Sequence, residues 1–272
     1  MPTLINKMET KTSNGVLSKG WYSVNGTMKL VKGNSFGLAK GTKGYEPFSE
    51  VMVSRLLDVM QIEHVHYGLD MASSYPQIKT YDCDWVCICD AIETQSQLIH
   101  FAGYADIESG GICHDYFTFL LNHENLIHPI YKLMAIDAIT GNSDRHLNNF
   151  DVLWDGQAAS MAPIFDNGAA LLSLVSYKDL RSEWNGCGPD KSKPFKRTHA
   201  EQIALFRKRF GNIKLTNKSK TTVYNEWHSK CREIFELLPE SRVDSVCNYL
   251  MHRLQEYEWM LGGDAIHEID VF

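Results

Sequence analysis

The most restrictive stretch of this 272-residue chain lies between residues 128 and 168. HPIYKLMAIDAIT (128–140) is punctuated as a helix, with Pro129 near its start and Gly141 just past its end. The polar loop NSDRHLNNF follows. After it come FDVLW and QAASMAPIF, two short runs around Asp155-Gly156, which is a hairpin turn signal. Asp166-Asn167-Gly168 stands where the second run ends. A hairpin after the loop that the helix delivers can bring a second acidic turn back to the same spot, next to Asp144 and Asn149.

Phosphoryl transfer asks for such a set. One carboxylate must orient and deprotonate the attacking hydroxyl, and further oxygen ligands must hold Mg²⁺ against the phosphates. Mg²⁺ takes hard oxygen donors and keeps several waters, so an Asn and an Asp from separate elements suffice. The D-x-x-x-x-N spacing of Asp144 and Asn149 lets a single loop carry both a base and a ligand. An Asp/Asn-rich loop that only caps a helix would account for DRHLNN. It would not account for the hairpin behind it and the acidic residue at that hairpin's end.

The first third reads as strands and one helix. WYSVNGTMKLVK (21–32) flanks Asn25-Gly26, whose residues must accept positive φ in a tight hairpin. A helix is expected over about 50–61 with Ser49 as its cap. A strand is expected over 78–92, with Cys83, Trp85, Cys87 and Cys89 on one face. The polar stretch TSNGVLSK (12–19) can cradle phosphate oxygens on its backbone N–H groups, or be no more than a turn. Lys32 ends the second hairpin strand, and Glu50 begins the helix on the stripe of Val53 and Leu57. A carboxylate on that stripe needs a cation, because burying it alone is costly. The two read either as a Lys–Glu pair that positions phosphates or as a surface pair worth under about 1 kcal/mol.

Beyond residue 95 the texture is helical. Helices are expected at 199–210, behind the capping box Thr198-x-x-Glu201, and over 225–260 in one or two pieces. Residues 170–197 read as irregular. Strands first and helices second predict an α+β protein: a small β-rich lobe over 1–92 and a larger, mainly helical lobe over 93–272.

Composition narrows the classes. The apolar and charged shares, 44% and 22%, are those of a globular chain and exclude disorder and coiled coil. No apolar run reaches the roughly 18 residues of a membrane span, and the N-terminus lacks a signal-peptide core. Seven cysteines, an odd number, suit a reducing, cytoplasmic setting better than a disulfide framework. The net charge of −6 conceals an asymmetry. Residues 191–220 hold ten Lys/Arg against one Glu, leaving −15 on the remainder. Such a segment either recruits an acidic or RNA-bound partner or is a solvated helix face. Arg207, Lys208 and Arg209 are consecutive and cannot share one direction.

In TSNGVLSK, YSVNGTMKLVKGN, EPFSEVMVSRLLDVM, GNSDRHLNNF and APIFDNG, in that order over residues 11–170, the chain resembles the HipA-like serine/threonine kinases. These have a two-lobed protein-kinase-like fold. The resemblance implies ATP and Mg²⁺ as cofactors and transfer of the γ-phosphoryl group to Ser or Thr of a protein. It makes Asp144 the base, Asn149 and Asp166 the metal ligands, and Lys32 with Glu50 the nucleotide-phosphate pair. Gly15 and Lys19 belong to the phosphate loop, and Asp90-Ala91-Ile92 lies near the adenine. Thr12 stands where several such kinases autophosphorylate, three positions before the loop glycine. An antitoxin-like or other regulatory protein partner is implied as well. Two departures limit the transfer. Asp166 is followed by Asn-Gly, not Phe-Gly, so activation-segment control is not carried over. The chain also begins close to the phosphate loop, so the extra N-terminal subdomain of longer HipA toxins is not expected.

Two alternatives stay open: a catalytically silent nucleotide-binding module that docks a partner, and a kinase acting on a lipid or small-molecule hydroxyl. Cys83, Cys87, Cys89, Cys113 and His114 have no familiar zinc spacing and read as core thiols. His64-x-His66 reads as a loop or strand pair rather than as metal ligands, and Asp137 as either a buried support of the catalytic loop or a solvated residue.

Overall fold

The computed structural model describes residues 2–12, 15–37, 42–175 and 191–263. Its first element is a long hairpin of β1 (Thr3–Thr12) and β2 (Gly15–Val24), followed by β3 (Thr27–Lys32). Asn25 and Gly26 join β2 to β3 with φ of 52° and 82°, the double left-handed turn their side chains allow. The short strands β4 (Phe36–Gly37) and β5 (Thr42–Lys43) precede α1 (Glu46–Met60), and then come β6 (Tyr67–Met71) and β7 (Trp85–Asp90). These strands form one antiparallel sheet in the order β5-β4-β2-β3-β7-β6, with β1 along β2. Of the stretch TSNGVLSK, Thr12 thus ends β1 and pairs with Gly15, and Gly15 to Lys19 belong to β2, with Lys19 opposite Lys32.

α1 starts at Glu46 rather than near residue 50, because Pro47 fits a first helical turn. Ser49 consequently lies inside the helix and does not cap it. Nearly every residue of α1 is buried, since β6 and β7 cover one side and α6 the other. The strand expected over 78–92 forms only from Trp85 to Asp90. Both of its faces are covered. Cys87 and Cys89 enter the main core, while Val86 joins Tyr22, Val31, Tyr75 and Ile78 in a small cluster on the other face.

A second sheet begins with β8 (Gln97–His100), a strand the helical texture of this region hid. It pairs with β9 (Asp151–Trp154), which pairs with β10 (Ala159–Met161). Between β8 and β9 lie α2 (Phe101–Glu108), α3 (Tyr116–Leu121) and α4 (Glu124–Thr140). α4 begins four residues before the expected start, which puts Pro129 inside the helix. Its end is as expected: Gly141 has φ of 67°, and a Cβ there would fall 2.0 Å from the Tyr249 hydroxyl. α5 (His199–Phe210) follows Thr198, whose Oγ1 accepts the N–H of Glu201 at 3.2 Å. The expected helix over 225–260 is three helices: α6 (Lys220–Lys230), α7 (Arg232–Phe235) and α8 (Glu240–Glu256), the last opening after Pro239.

The fold is the two-part α+β arrangement expected, with an antiparallel sheet first and helices second. One apolar core runs from α1 through α4 to α8. Trp227 of α6, fully buried, donates its indole N–H to Met52 O of α1 at 2.9 Å. Among the described residues no helix is long and apolar enough to cross a membrane.

Candidate active site

A cavity of about 480 Å³ opens where β2, β3 and α1 face the loops after α4 and β10. Its wall carries Lys19, Lys32, Glu46, Glu50, Asp144, Asn149, Asp166 and Lys193. Six of the residues singled out in the sequence thus meet there: Lys19, Lys32, Glu50, Asp144, Asn149 and Asp166. Gly15 lies at the start of β2. Asp90 and Ile92 are not part of the wall. The Asp90 carboxylate, exposed at the end of β7, is held by Lys29 Nζ at 2.6 Å. Thr12 ends β1.

Strand alternation points Lys32 to the same face as Leu30, toward α1, where Glu50 lies one turn into the helix. The Lys32 Nζ donates to Glu50 Oε1 at 2.7 Å, Asp166 Oδ1 at 2.9 Å and the Tyr67 hydroxyl at 3.3 Å. Burial disfavours the ammonium, but Asp166 and Glu50 outweigh it and hold the lysine pKa well above its usual range. The two carboxylates are pushed apart. Burial raises the Glu50 carboxyl despite Lys32, whereas Asp166, also opposed by burial, is held below the usual range by Lys32, with help from Lys19 and Arg145. Burial lowers the pKa of Lys19, a change that Asp166 partly offsets.

Arg145 organises the loop that carries Asp144 and Asn149. The guanidinium is fully buried and forks onto Asp137 of α4, Nε to Oδ2 at 2.9 Å and Nη2 to Oδ1 at 3.0 Å. It then donates to Asn149 O at 2.7 Å, Phe165 O at 2.5 Å and Asn167 Oδ1 at 2.6 Å. One planar group thereby ties the loop after α4 to the turn after β10. Asp137 is the buried support, not a solvated position: it is 0% exposed, and burial raises its carboxyl against the pull of Arg145. The Asn149 Nδ2 donates to Asp144 O at 2.9 Å, so its amide oxygen is the end left for a cation.

The Asp166 turn is fixed from α1 as well. Asp166 has φ of 60°, a left-handed geometry that a short polar side chain tolerates. The Asn167 N–H donates to Glu50 Oε2 at 2.7 Å, and the Ser49 hydroxyl lies 2.9 Å from both Asn167 O and Ala170 O. Further on, Arg242 of α8 donates to Leu172 O and Val175 O, each at 2.8 Å, and stacks over Tyr45.

Sequence reasoning missed Arg145, Ser49, Tyr67, Glu46 and Lys193. Lys193 Nζ is 2.8 Å from Asp144 Oδ1, although 49 residues separate them. Glu46 is bound through Oε1 by Ser35, while its buried Oε2 makes no hydrogen bond and burial raises its pKa. Of these, only Arg145 carried a signal, being a permanent cation inside the loop motif. The cysteines agree with the thiol reading. Cys87, Cys89, Cys113, Cys231 and Cys247 are free thiols, and burial pushes Cys89 up to about 11, far from a metal-binding thiolate.

The chemistry of this wall fits a metal–nucleotide complex. The oxygens of Asn149 and Asp166 are hard donors, Lys19, Lys32 and Lys193 bring positive charge, and Glu46 leaves a buried acceptor unfilled. No family model matches the chain. Among solved structures it is similar to the Helicobacter pylori proinflammatory kinase CtkA, with a TM-score of 0.61 and 18% identity over 92% of this chain and 91% of that one. HipA of Shewanella oneidensis, solved with HipB and operator DNA, gives a TM-score of 0.47 and 13% identity over 92% of this chain and 64% of HipA. A Sinorhizobium fredii protein named "Putative kinase Y4mE" is 48% identical over 42 residues, which span 15% of this chain and 9% of that protein. The chain therefore has a protein-kinase-like fold, and its likeness to kinases agrees with the HipA-like resemblance carried by its motifs.

Proposed function

We propose that the chain is a kinase that uses ATP and Mg²⁺ to phosphorylate a Ser or Thr hydroxyl of a protein. The observation that carries this reading is the meeting of Asp144, Asn149, Asp166 and the buried Lys32–Glu50 pair around one cavity of a kinase-like fold. ATP supplies the transferable γ-phosphoryl group, and Mg²⁺ neutralises charge on its oxygens. Asn149 and Asp166 would hold the metal. Lys32, kept cationic by two carboxylates, would hold the nucleotide phosphates together with Lys19. Asp144 orients the acceptor hydroxyl and takes its proton onto a carboxylate oxygen, an effect typically worth about 10²–10⁴ in rate. Arg145 keeps the base and both metal ligands in register, since positioning and electrostatics supply most of this catalysis. Thr12 is the acceptor in cis, and an antitoxin-like or regulatory partner belongs to the same reading; both rest on the sequence resemblance. The small lobe ends near residue 92, just after β7 closes the first sheet and before β8 opens the second.

Much of the basic segment is engaged within the chain. Lys218 pairs with Glu226, Lys220 with Glu258, Lys214 with Leu261 O, and Arg207 lies over Trp259. That distribution favours a solvated, internally paired face over a single recruiting patch.

Asp144→Ala and Asp166→Ala are each expected to abolish phosphate transfer from labelled ATP while melting cooperatively like the parent. Full activity in either variant refutes the assignment. In a cell lysate, label in protein supports the acceptor class, and label in lipid or small molecules overturns it. An ATP-dependent thermal shift with no transfer at all means a silent docking module.

A further inference from the structure

Away from the cavity, three side chains of metal-ligand type meet at the far end of α1. Asp58 lies in its last turn, His64 in the connection to β6, and His66 immediately before β6. Asp58 Oδ1 is 3.3 Å from His66 Nδ1 and 3.7 Å from His64 Nε2, and the three ligand atoms all lie within 4.8 Å of one another. Bonds of about 2.0–2.2 Å to a tetrahedral Zn²⁺ place neighbouring ligand atoms roughly 3.3–3.6 Å apart. The two separations from the carboxylate already stand near that spacing. We propose that Asp58, His64 and His66 form a site for a divalent transition metal of the zinc class, with its fourth position open to solvent.

The surroundings prepare the ligands. His64 Nδ1 donates to Ile62 O at 2.8 Å, which leaves the lone pair on Nε2, the atom facing Asp58. The Ser54 hydroxyl, 3.0 Å from Nε2, now donates there and needs only to rotate to release it. Arg55 approaches the other carboxylate oxygen, Oδ2, at 3.6 Å, leaving Oδ1 to the histidines. His64 is buried and anchors the site, while the 72% exposed His66 side chain provides the way in. Two imidazoles and one carboxylate select zinc-class ions over Mg²⁺, so the site is chemically distinct from the candidate active site. It would also join the two sides of the fold. Val65 N donates to Ile164 O at 2.9 Å and Ile164 N to Glu63 O at 3.3 Å, two residues before Asp166.

The test is a titration of the chelator-stripped full chain with Zn²⁺, followed by calorimetry. The expected result is a saturable equivalent that His66→Ala and Asp58→Asn both lose, while His252→Ala, a control at an exposed histidine of α8, retains it. Millimolar Mg²⁺ should not displace the ion. Circular dichroism separates ligand loss from misfolding, and the exposed His66 is expected to be replaced without unfolding. Absence of saturable binding in the parent, or its survival in both variants, overturns the proposal. Because the readout is binding, it succeeds or fails independently of kinase activity.

Discussion

Replacing Asp137 by Asn tests how the catalytic loop is held. Asp137 and Arg145 are each 0% exposed, and the carboxylate receives both Nε and Nη2 of the guanidinium. Asparagine keeps one acceptor but turns an N–H₂ toward the cation and leaves its charge uncompensated. Breaking a buried pair on one side costs about 3–5 kcal/mol. With a urea slope of roughly 3 kcal/mol/M for a chain this long, the unfolding midpoint should fall by about 1–2 M. The other three Arg145 bonds, to Asn149, Phe165 and Asn167, depend on the same fork, so phosphate transfer should drop even where the variant is fully folded. Arg145→Met in the Asp137→Asn background removes the stranded charge. The double variant should therefore be more stable than the sum of the two single effects by about 1–3 kcal/mol. A shift of under about 1 kcal/mol for Asp137→Asn, with strict additivity in the double variant, would refute the argument that this pair is the anchor.

Ser49→Ala strips the hydroxyl proton shared by Asn167 O and Ala170 O and should cost about 1–3 kcal/mol in equilibrium unfolding. A cap of α1 at Ser49 would instead predict fraying of the turn after it, residues 50–53, seen as a loss of helical circular dichroism. Burial, with Arg253 nearby, pushes His199 down to about 3 from an ordinary 6.5. The folded state then binds fewer protons than the unfolded one, so this contribution is whole above pH 6.5 and is lost as pH falls toward 3. Between pH 7 and pH 5 the loss is about 2 kcal/mol, and His199→Gln should flatten the profile by that amount. Parallel profiles for parent and variant would contradict it.

The local parts of the site were legible because they obey local rules. Asn25-Gly26, Asp155-Gly156 and Gly141 are turn and cap residues whose backbone angles follow from their own chemistry. Lys32 and Glu50 could be paired on paper because strand and helix periods put each on the face that meets the other. Where competing local signals existed, tertiary packing chose between them. Ser49 is a good cap by composition, but Pro47 opens the helix earlier and the hydroxyl is used 118 residues away. Pro129 marks a helix start in most sequences, yet α4 extends back to Glu124.

By itself the sequence determined the strands-first, helices-second arrangement, the two-part α+β class and the short list of residues with catalytic chemistry. Periodicity and turn chemistry act over a few residues and need no knowledge of distant partners. Only the tertiary structure decided which of those residues share a cavity, that Asp137 is buried beneath Arg145, and that Lys193 reaches Asp144. It also decided that Asp58 lies against His64 and His66. These contacts depend on chain segments far apart in sequence coming together around one core, where a buried charge must find a partner. Nothing within a short window specifies which partner that is.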